Sequence, residues 1–147
     1  MNIKEKLMED LKVAMKNKDV IKKNTITLIR SAILQYEKDN KVELDENGII
    51  EIISKELKKR NDSLVEYEKS GRADLINNLK EEIEVVKEYL PEPLTVEELE
   101  QIIKDTIEEV GAKDMKDMGK VMQGVKAKTL GRADGKTINE IVKKQLA

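Results

Sequence analysis

The chain has 147 residues and a net charge of -2, which suits one domain of ordinary size or two small packed ones. Charged residues make up 39% and aromatic residues only 2%, so Ile, Leu, Val, Met and Ala must build the core, and such cores favour helices packed on helices. The absence of His and Cys excludes thiolate nucleophiles, Cys-based zinc sites, disulfides and triads with an imidazole base.

The first residues, MNIKEKLMEDLK, carry charges every two or three positions, where a signal peptide would need an apolar run. No other stretch is long and apolar enough to span a membrane. We therefore expect a cytoplasmic protein without a membrane partner.

Charge is distributed unevenly along the chain. Residues 1–42 contain 10 basic residues (Lys and Arg) and 6 acidic ones (Asp and Glu). Residues 43–111 contain 9 basic and 20 acidic residues, and residues 112–147 contain 9 basic and 4 acidic ones. An acidic middle cannot lie on a polyanion, whereas the two basic ends can.

Apolar residues at three- and four-residue steps predict two amphipathic helices in the first part of the chain. The first helix carries Ile3, Leu7 and Leu11 and stops near Asp19, and the second begins around Thr25. We expect the second helix to be the more deeply buried, on a face of Ile26, Ile29, Ile33 and Tyr36 widened by Leu28 and Leu34.

The polar residues 38–47 end in Asn-Gly and predict a loop. A third helix follows and ends at Gly71, because glycine can take the left-handed conformation that closes a helix. A fourth helix runs from Arg72 to Leu90. Long helices with short connections are expected to pack as antiparallel neighbours.

The two prolines of the chain come together at Pro91 and Pro93, which forbids helix there and predicts a domain boundary. Residues 1–91 form a helical first domain and residues 94–147 a compact second one. Thr95 and Glu98 predict a capping box at the start of a fifth helix, which Gly111 closes.

The sixth helix, around Val121 and Val125, contains two glycines, Gly119 and Gly124. Each costs the helix about 1 kcal/mol relative to Ala. Two explanations are open: another helix backbone approaches closely at these positions, or a ligand backbone does.

The stretch GRADGK, residues 131–136, predicts a turn between two helices. Gly131 can end the sixth helix, Gly135 lies within the turn, and Asp134 or Thr137 starts a seventh, with Thr137 and Glu140 forming a second capping box. The free N–H groups of the new helix and the surrounding cations are typical of an anion site. Those cations are Lys120, Lys126, Lys128, Arg132 and Lys136. The alternative is a plain connector, in which the glycines serve the turn and Asp134 is a cap.

Other features favour scaffold roles. The basic cluster of residues 55–63 is typical of a solvated helix face. The tyrosines fall at helical spacing and are interpreted as packing residues rather than base-stacking platforms. No catalytic set, metal site or cofactor site is predicted, because no nucleophile lies beside a carboxylate pair.

Residues 118–146 closely resemble the signature of the YqeY family, in which Gly-x-Val-Met precedes a Lys-x-x-Gly-x-Ala-Asp-Gly turn and a final short helix. The resemblance covers essentially the whole chain, although a family proline before the turn lysine is replaced by Ala127. The matching positions are Gly119, Val121, Met122, Lys128, Gly131, Ala133, Asp134 and Gly135.

The family is related to the carboxy-terminal region of GatB, a subunit of the amidotransferase that amidates Glu-tRNA(Gln) or Asp-tRNA(Asn). The resemblance implies an all-α fold, with an elongated amino-terminal helical hairpin or bundle and a small carboxy-terminal three-helix domain. It also implies a module that contacts tRNA, and carbon–nitrogen ligase activity with glutamine as amide donor.

We expect a tRNA-binding or aminoacyl-tRNA-binding module, in which the five cations around GRADGK contact phosphates. Two alternatives are open. One is an auxiliary role beside a carbon–nitrogen ligase, since the chain shows no catalytic set of its own. The other is a protein-interaction module in which the lysines only confer solubility.

Overall fold

The computed structural model describes residues 1–147, and its regular structure is helical throughout, which confirms the all-α fold class. A single turn of 3₁₀ helix, Met115–Asp117, precedes α6. None of the helices is both long enough and apolar enough to cross a membrane. The helices are α1 (Ile3–Lys16), α2 (Val20–Asn40), α3 (Glu46–Ser70), α4 (Ala73–Lys87), α5 (Val96–Val110), α6 (Met118–Lys128) and α7 (Gly135–Leu146).

The chain divides into two compact units, Met1–Leu90 and Pro91–Ala147. In the first unit, α2 lies at the centre and packs against α1, α3 and α4. Its core is aliphatic apart from one tyrosine, as the low aromatic content requires. The buried side chains of this core are Leu7, Ile26, Ile29, Ile33, Ile49, Ile52, Ile53, Val85, Val86 and Tyr89.

The buried face of α2 is narrower than the sequence predicts. Ile26, Ile29 and Ile33 are buried, whereas Leu28 and Leu34 are more than half exposed and Tyr36 is 40% exposed. The prediction for these last three was wrong because α1, α3 and α4 cover only one side of α2.

Two predicted boundaries of α2 also differ from the structure. The helix begins at Val20, five residues before Thr25, because the Asp19 carboxylate accepts the N–H of Lys22 and caps it. It continues to Asn40, so the predicted loop of residues 38–47 begins later than expected.

The second unit is a three-helix bundle of α5, α6 and α7, in which each helix contacts the other two. The predicted capping box is confirmed: Thr95 Oγ1 accepts the N–H of Glu98, and a Glu98 carboxylate oxygen accepts the N–H of Thr95. The bundle core consists of Leu99, Ile103, Val121, Val125, Ile138, Val142 and Leu146.

Candidate nucleic-acid interface

The turn between α6 and α7 contains the one left-handed residue of this segment, Gly131, with φ of 74°. A left-handed backbone favours glycine, since a side chain would be strained there. Gly131 does not end α6, however. That helix stops at Lys128 and is closed by Thr129, whose N–H donates to the Val125 carbonyl at 3.0 Å. Gly131 therefore shapes the turn itself.

Asp134 is the N-cap of α7. Its carboxylate accepts the N–H of Lys136 at 3.1 Å, and its backbone is extended. Thr137 lies at the third position inside the helix, so the predicted capping box of Thr137 with Glu140 does not form. The prediction for Thr137 was wrong because a carboxylate three residues earlier already satisfies the helix start. The negative charge of Asp134 also occupies the place where an external anion would meet the helix N-terminus.

Arg132 connects the turn to the start of the second unit. Its Nε donates to the Glu92 carbonyl at 2.9 Å, and its own carbonyl accepts the N–H of Leu94 at 2.9 Å. These two bonds make Arg132 a structural link between segments 40 residues apart in sequence. One edge of its guanidinium is thus already engaged within the chain.

Lys128 is held against α5. Its Nζ donates to Glu109 Oε2 at 2.7 Å and to Thr106 Oγ1 at 3.1 Å. Because the lysine and glutamate side chains are 37% and 61% exposed, this ion pair contributes at most about 1 kcal/mol to stability. A phosphate contact from Lys128 would have to compete with Glu109.

The other three predicted cations are exposed and form no ion pair. Lys120 and Lys126 project from the solvent side of α6, because Val121 and Val125 occupy its buried side. Lys136 lies in the first turn of α7. The structure therefore separates the five predicted residues into two with hydrogen-bond partners within the chain, Lys128 and Arg132, and three that face solvent.

Two further exposed lysines escaped the sequence prediction, Lys143 and Lys144 in the last turn of α7. Lys143 lies seven residues after Lys136, and this spacing puts both on the same side of a helix. This seven-residue spacing is the sequence feature from which Lys143 could have been predicted as part of the basic surface. We call Lys120, Lys126, Lys136, Lys143 and Lys144 the free lysines.

Three glycines of this unit differ in what surrounds them. A methyl group at Gly124 would lie 2.8 Å from Thr106 Cγ2, so the close neighbour there is a side chain of α5 and not the predicted helix backbone. At Gly119 and Gly135 a methyl group would meet no atom within 4 Å. No contact within the chain therefore requires glycine at these two positions.

Charge in the second unit is segregated by helix. The helix α5 carries six acidic residues and one lysine. The segment from Met118 to Leu146, which includes α6, the turn and α7, carries seven basic residues and two acidic ones. The unit thus presents one acidic helix and two basic ones, which favours a polyanion on the side of α6 and α7.

Two titratable groups of the first unit have shifted pKa values. The hydrogen bond from Lys4, supported by the N–H of Leu44, holds the pKa of Glu37 below its usual value. Burial and the hydrogen bond to Asp10 raise the pKa of the Tyr89 hydroxyl. Each of these groups joins one element to another, which is a packing role. No group of three or more acidic side chains is arranged to hold a metal ion.

Comparison with known proteins gives two results. A family described as "Yqey-like protein" matches residues 4–146. The protein named "Altered inheritance of mitochondria protein 41, mitochondrial" from Candida glabrata is 40% identical over 88 residues, which cover 58% of this chain and 48% of that protein. The chain thus spans about half the length of this curated relative. Because the family match extends over nearly all of its residues, the chain belongs to the YqeY family.

Proposed function

We propose that residues 91–147 bind tRNA or an aminoacyl-tRNA through the basic surface of α6, the following turn and α7. The observation that supports the proposal is the charge segregation, with seven basic and two acidic residues in this segment beside an acidic α5. Exposed lysines without ion pairs can neutralise phosphates and release counterions, which is the main source of affinity for a nucleic acid.

The free lysines are the proposed phosphate contacts. Lys128 joins them only when it leaves Glu109, and Arg132 keeps the turn in the shape that presents Lys136. The resemblance to the tail of GatB supports tRNA as the nucleic acid. The proposal requires a compartment that contains tRNA, which the cytoplasm satisfies.

Recognition by this unit has to rely on shape and phosphate positions. All three tyrosines precede residue 91, so the second unit has no aromatic side chain on which a base could stack. Sequence-specific RNA recognition usually depends on such stacking together with contacts to base edges. We therefore expect several tRNA species to bind with similar affinity.

The experiment compares binding of the full chain to total tRNA across a salt series with binding of a Lys120→Ala, Lys126→Ala, Lys136→Ala triple variant. A matched control removes three exposed lysines of the first unit, Lys55, Lys58 and Lys69, and changes the net charge equally. We expect the first variant to flatten the plot of log affinity against log salt by about 0.7–0.9 per lysine. Equal losses in both variants, or no binding at low salt, would contradict the proposal.

A further inference from the structure

One edge of the α1–α2 pair carries a repeat of which only Leu11 packs against the core. In α1 the positions are Lys4, Met8, Leu11 and Met15, at alternating steps of four and three. In α2 the same spacing continues in the positions Val20, Lys23, Thr27, Arg30 and Leu34. We call these nine positions the α1–α2 seam. Five of the nine are apolar, and apolar residues at steps of three and four are typical of helices that pack against a further helix in a coiled coil.

The apolar members of the seam are open to solvent. Met8 is 40% exposed, Met15 and Leu34 are each 56% exposed, and Val20 is 64% exposed. Leu11 is half-buried against the core below. Four large apolar side chains exposed along one edge indicate an interaction surface rather than scattered surface residues.

A small cavity lies between the two helices at the end of the seam that contains Lys4 and Leu34. Its volume is about 100 Å³. Lys4 lines it from α1, Arg30 and Leu34 line it from α2, and the buried Leu7 and Ile33 complete it. This end of the seam is thus a recess with an apolar floor and room for an inserted side chain.

The opposite edge of α1 is already occupied. Asp10 accepts a hydrogen bond from the Tyr89 hydroxyl there, and Lys6 lies 5.1 Å from the centre of the Tyr89 ring. The helices α3 and α4 pack against α2. The seam is the edge of α1 and α2 that no other element of the first unit covers.

The charges around the seam are mostly basic once internal pairs are removed, and the exception in α1 is the exposed Glu5, seven residues before Lys12. Lys4 is paired with Glu37 at 2.7 Å. Lys12, which flanks Met8 and Met15, forms no ion pair, and neither do Lys23 or Arg30. A second copy of this seam would bring like charges together, which disfavours a symmetric dimer.

We propose that the α1–α2 seam binds an amphipathic helix of a partner protein, with apolar residues at heptad positions a and d and acidic residues beside them. The heptad spacing specifies a helix, the cavity accepts one of its apolar side chains, and the lysines and Arg30 select acidic flanks. This surface is separate from the lysines proposed to contact tRNA, so either proposal can fail without the other.

The first test uses a synthetic peptide of about four heptads with Leu at a and d and Glu at e and g, and a second peptide with Lys in place of Glu. Like charges at e and g keep each peptide from pairing with itself. We expect the full chain to bind the Glu peptide at least about tenfold more tightly than the Lys peptide, by fluorescence anisotropy. Equal binding of both peptides, or binding of neither, would overturn the proposal.

Variants of the full chain test whether the peptide binds at the seam. Met8→Glu with Leu34→Glu should weaken binding of the Glu peptide at least about tenfold. The matched control, Val13→Glu with Leu28→Glu, changes two exposed apolar residues outside the seam and should leave binding within about twofold. Circular dichroism checks that both variants remain helical. Loss of binding in the control alone would refute the assignment.

Replacing two lysines at the seam with glutamates tests the charge complementarity between the seam and the peptide without changing an apolar residue. Lys12→Glu with Lys23→Glu should reduce binding of the Glu peptide and increase binding of the Lys peptide. Anionic phosphatidylserine vesicles and total tRNA are tested in parallel. The proposal fails if the Met8 and Leu34 variant loses vesicle or tRNA binding while peptide binding is unchanged.

Discussion

Gly124 in α6 lies against Thr106 in α5, so closely that a methyl group on Gly124 would come within 2.8 Å of Thr106 Cγ2. Thr106 is fully buried, and its hydroxyl donates to the Ile102 carbonyl and accepts from Lys128. The threonine cannot rotate away from a new methyl group without losing these bonds. The glycine therefore determines how closely α5 and α6 pack.

Gly124→Ala should lower the free energy of unfolding by about 1–3 kcal/mol, because overpacking outweighs the better helix propensity of alanine. The matched change in the same helix, Gly119→Ala, meets open space and should be neutral or stabilising by up to about 1 kcal/mol. Urea unfolding measures both. Adding Thr106→Ser, which removes Cγ2 and keeps the hydroxyl, should recover part of the loss in Gly124→Ala; no recovery would mean that another contact is responsible.

Asp134→Ala should destabilise the chain by about 1 kcal/mol, because α7 loses its cap. Asp134→Asn keeps an oxygen that accepts the Lys136 N–H and should be nearly neutral in thermal unfolding. The same Asn variant removes a negative charge beside Lys136 and should bind tRNA more tightly at low salt. A stable Asn variant with unchanged affinity would place the RNA away from the start of α7.

Glu109→Gln should strengthen tRNA binding, because it frees Lys128 for a phosphate and removes an acidic charge. Its control is Glu108→Gln, which removes an equal charge from an exposed neighbour that forms no ion pair. Affinity measured in low and moderate salt distinguishes the two. Equal gains in both variants would show that only net charge matters, and that Lys128 does not become a contact.

Tyr89 should make stability sensitive to alkaline pH. Burial and the Asp10 carboxylate raise the pKa of its hydroxyl in the folded chain, so the unfolded chain releases the proton at lower pH. The resulting stability is present below about pH 10 and is lost as pH rises above that value. Tyr89→Phe should be less stable than the wild type near neutral pH, by about 1–3 kcal/mol.

The difference between the wild type and Tyr89→Phe should shrink as pH rises above about 10, since only the wild type carries the hydroxyl. Chemical unfolding at a series of pH values measures it. Tyr36→Phe, at a position that is 40% exposed, serves as control and should stay within about 0.5 kcal/mol of the wild type. A constant difference across the whole range would mean that the Tyr89 proton is not linked to folding.

The sequence predicted the features that depend on neighbouring residues. The Thr95 and Glu98 capping box and the helix end at Gly111 follow from local chemistry, and both are present. The exposure of Leu28 and Leu34 could not be predicted in this way, because α2 has apolar residues on more than one face and only packing selects the buried one. Periodicity alone therefore predicted a buried face of α2 that is wider than the one in the structure.

The candidate site shows the same limit. Side chains of equal charge were predicted to act alike, although Lys128 and Arg132 bind partners 19 and 40 residues earlier in the chain. No local pattern indicates pairs so distant. Asp134 and Thr137 were equal candidates for the cap, and only the backbone of the turn distinguished them.

The bond from the Leu94 N–H to the Arg132 carbonyl makes the Leu94 amide a reporter of whether the turn between α6 and α7 is closed. Leu94 precedes α5, so its amide has no helical partner of its own, and its hydrogen exchange depends on the integrity of a turn 38 positions away along the chain. Opening of that turn exposes this amide to solvent while the amides of α5 remain protected. Exchange at one backbone position therefore measures how often the turn opens, in the absence and in the presence of added tRNA.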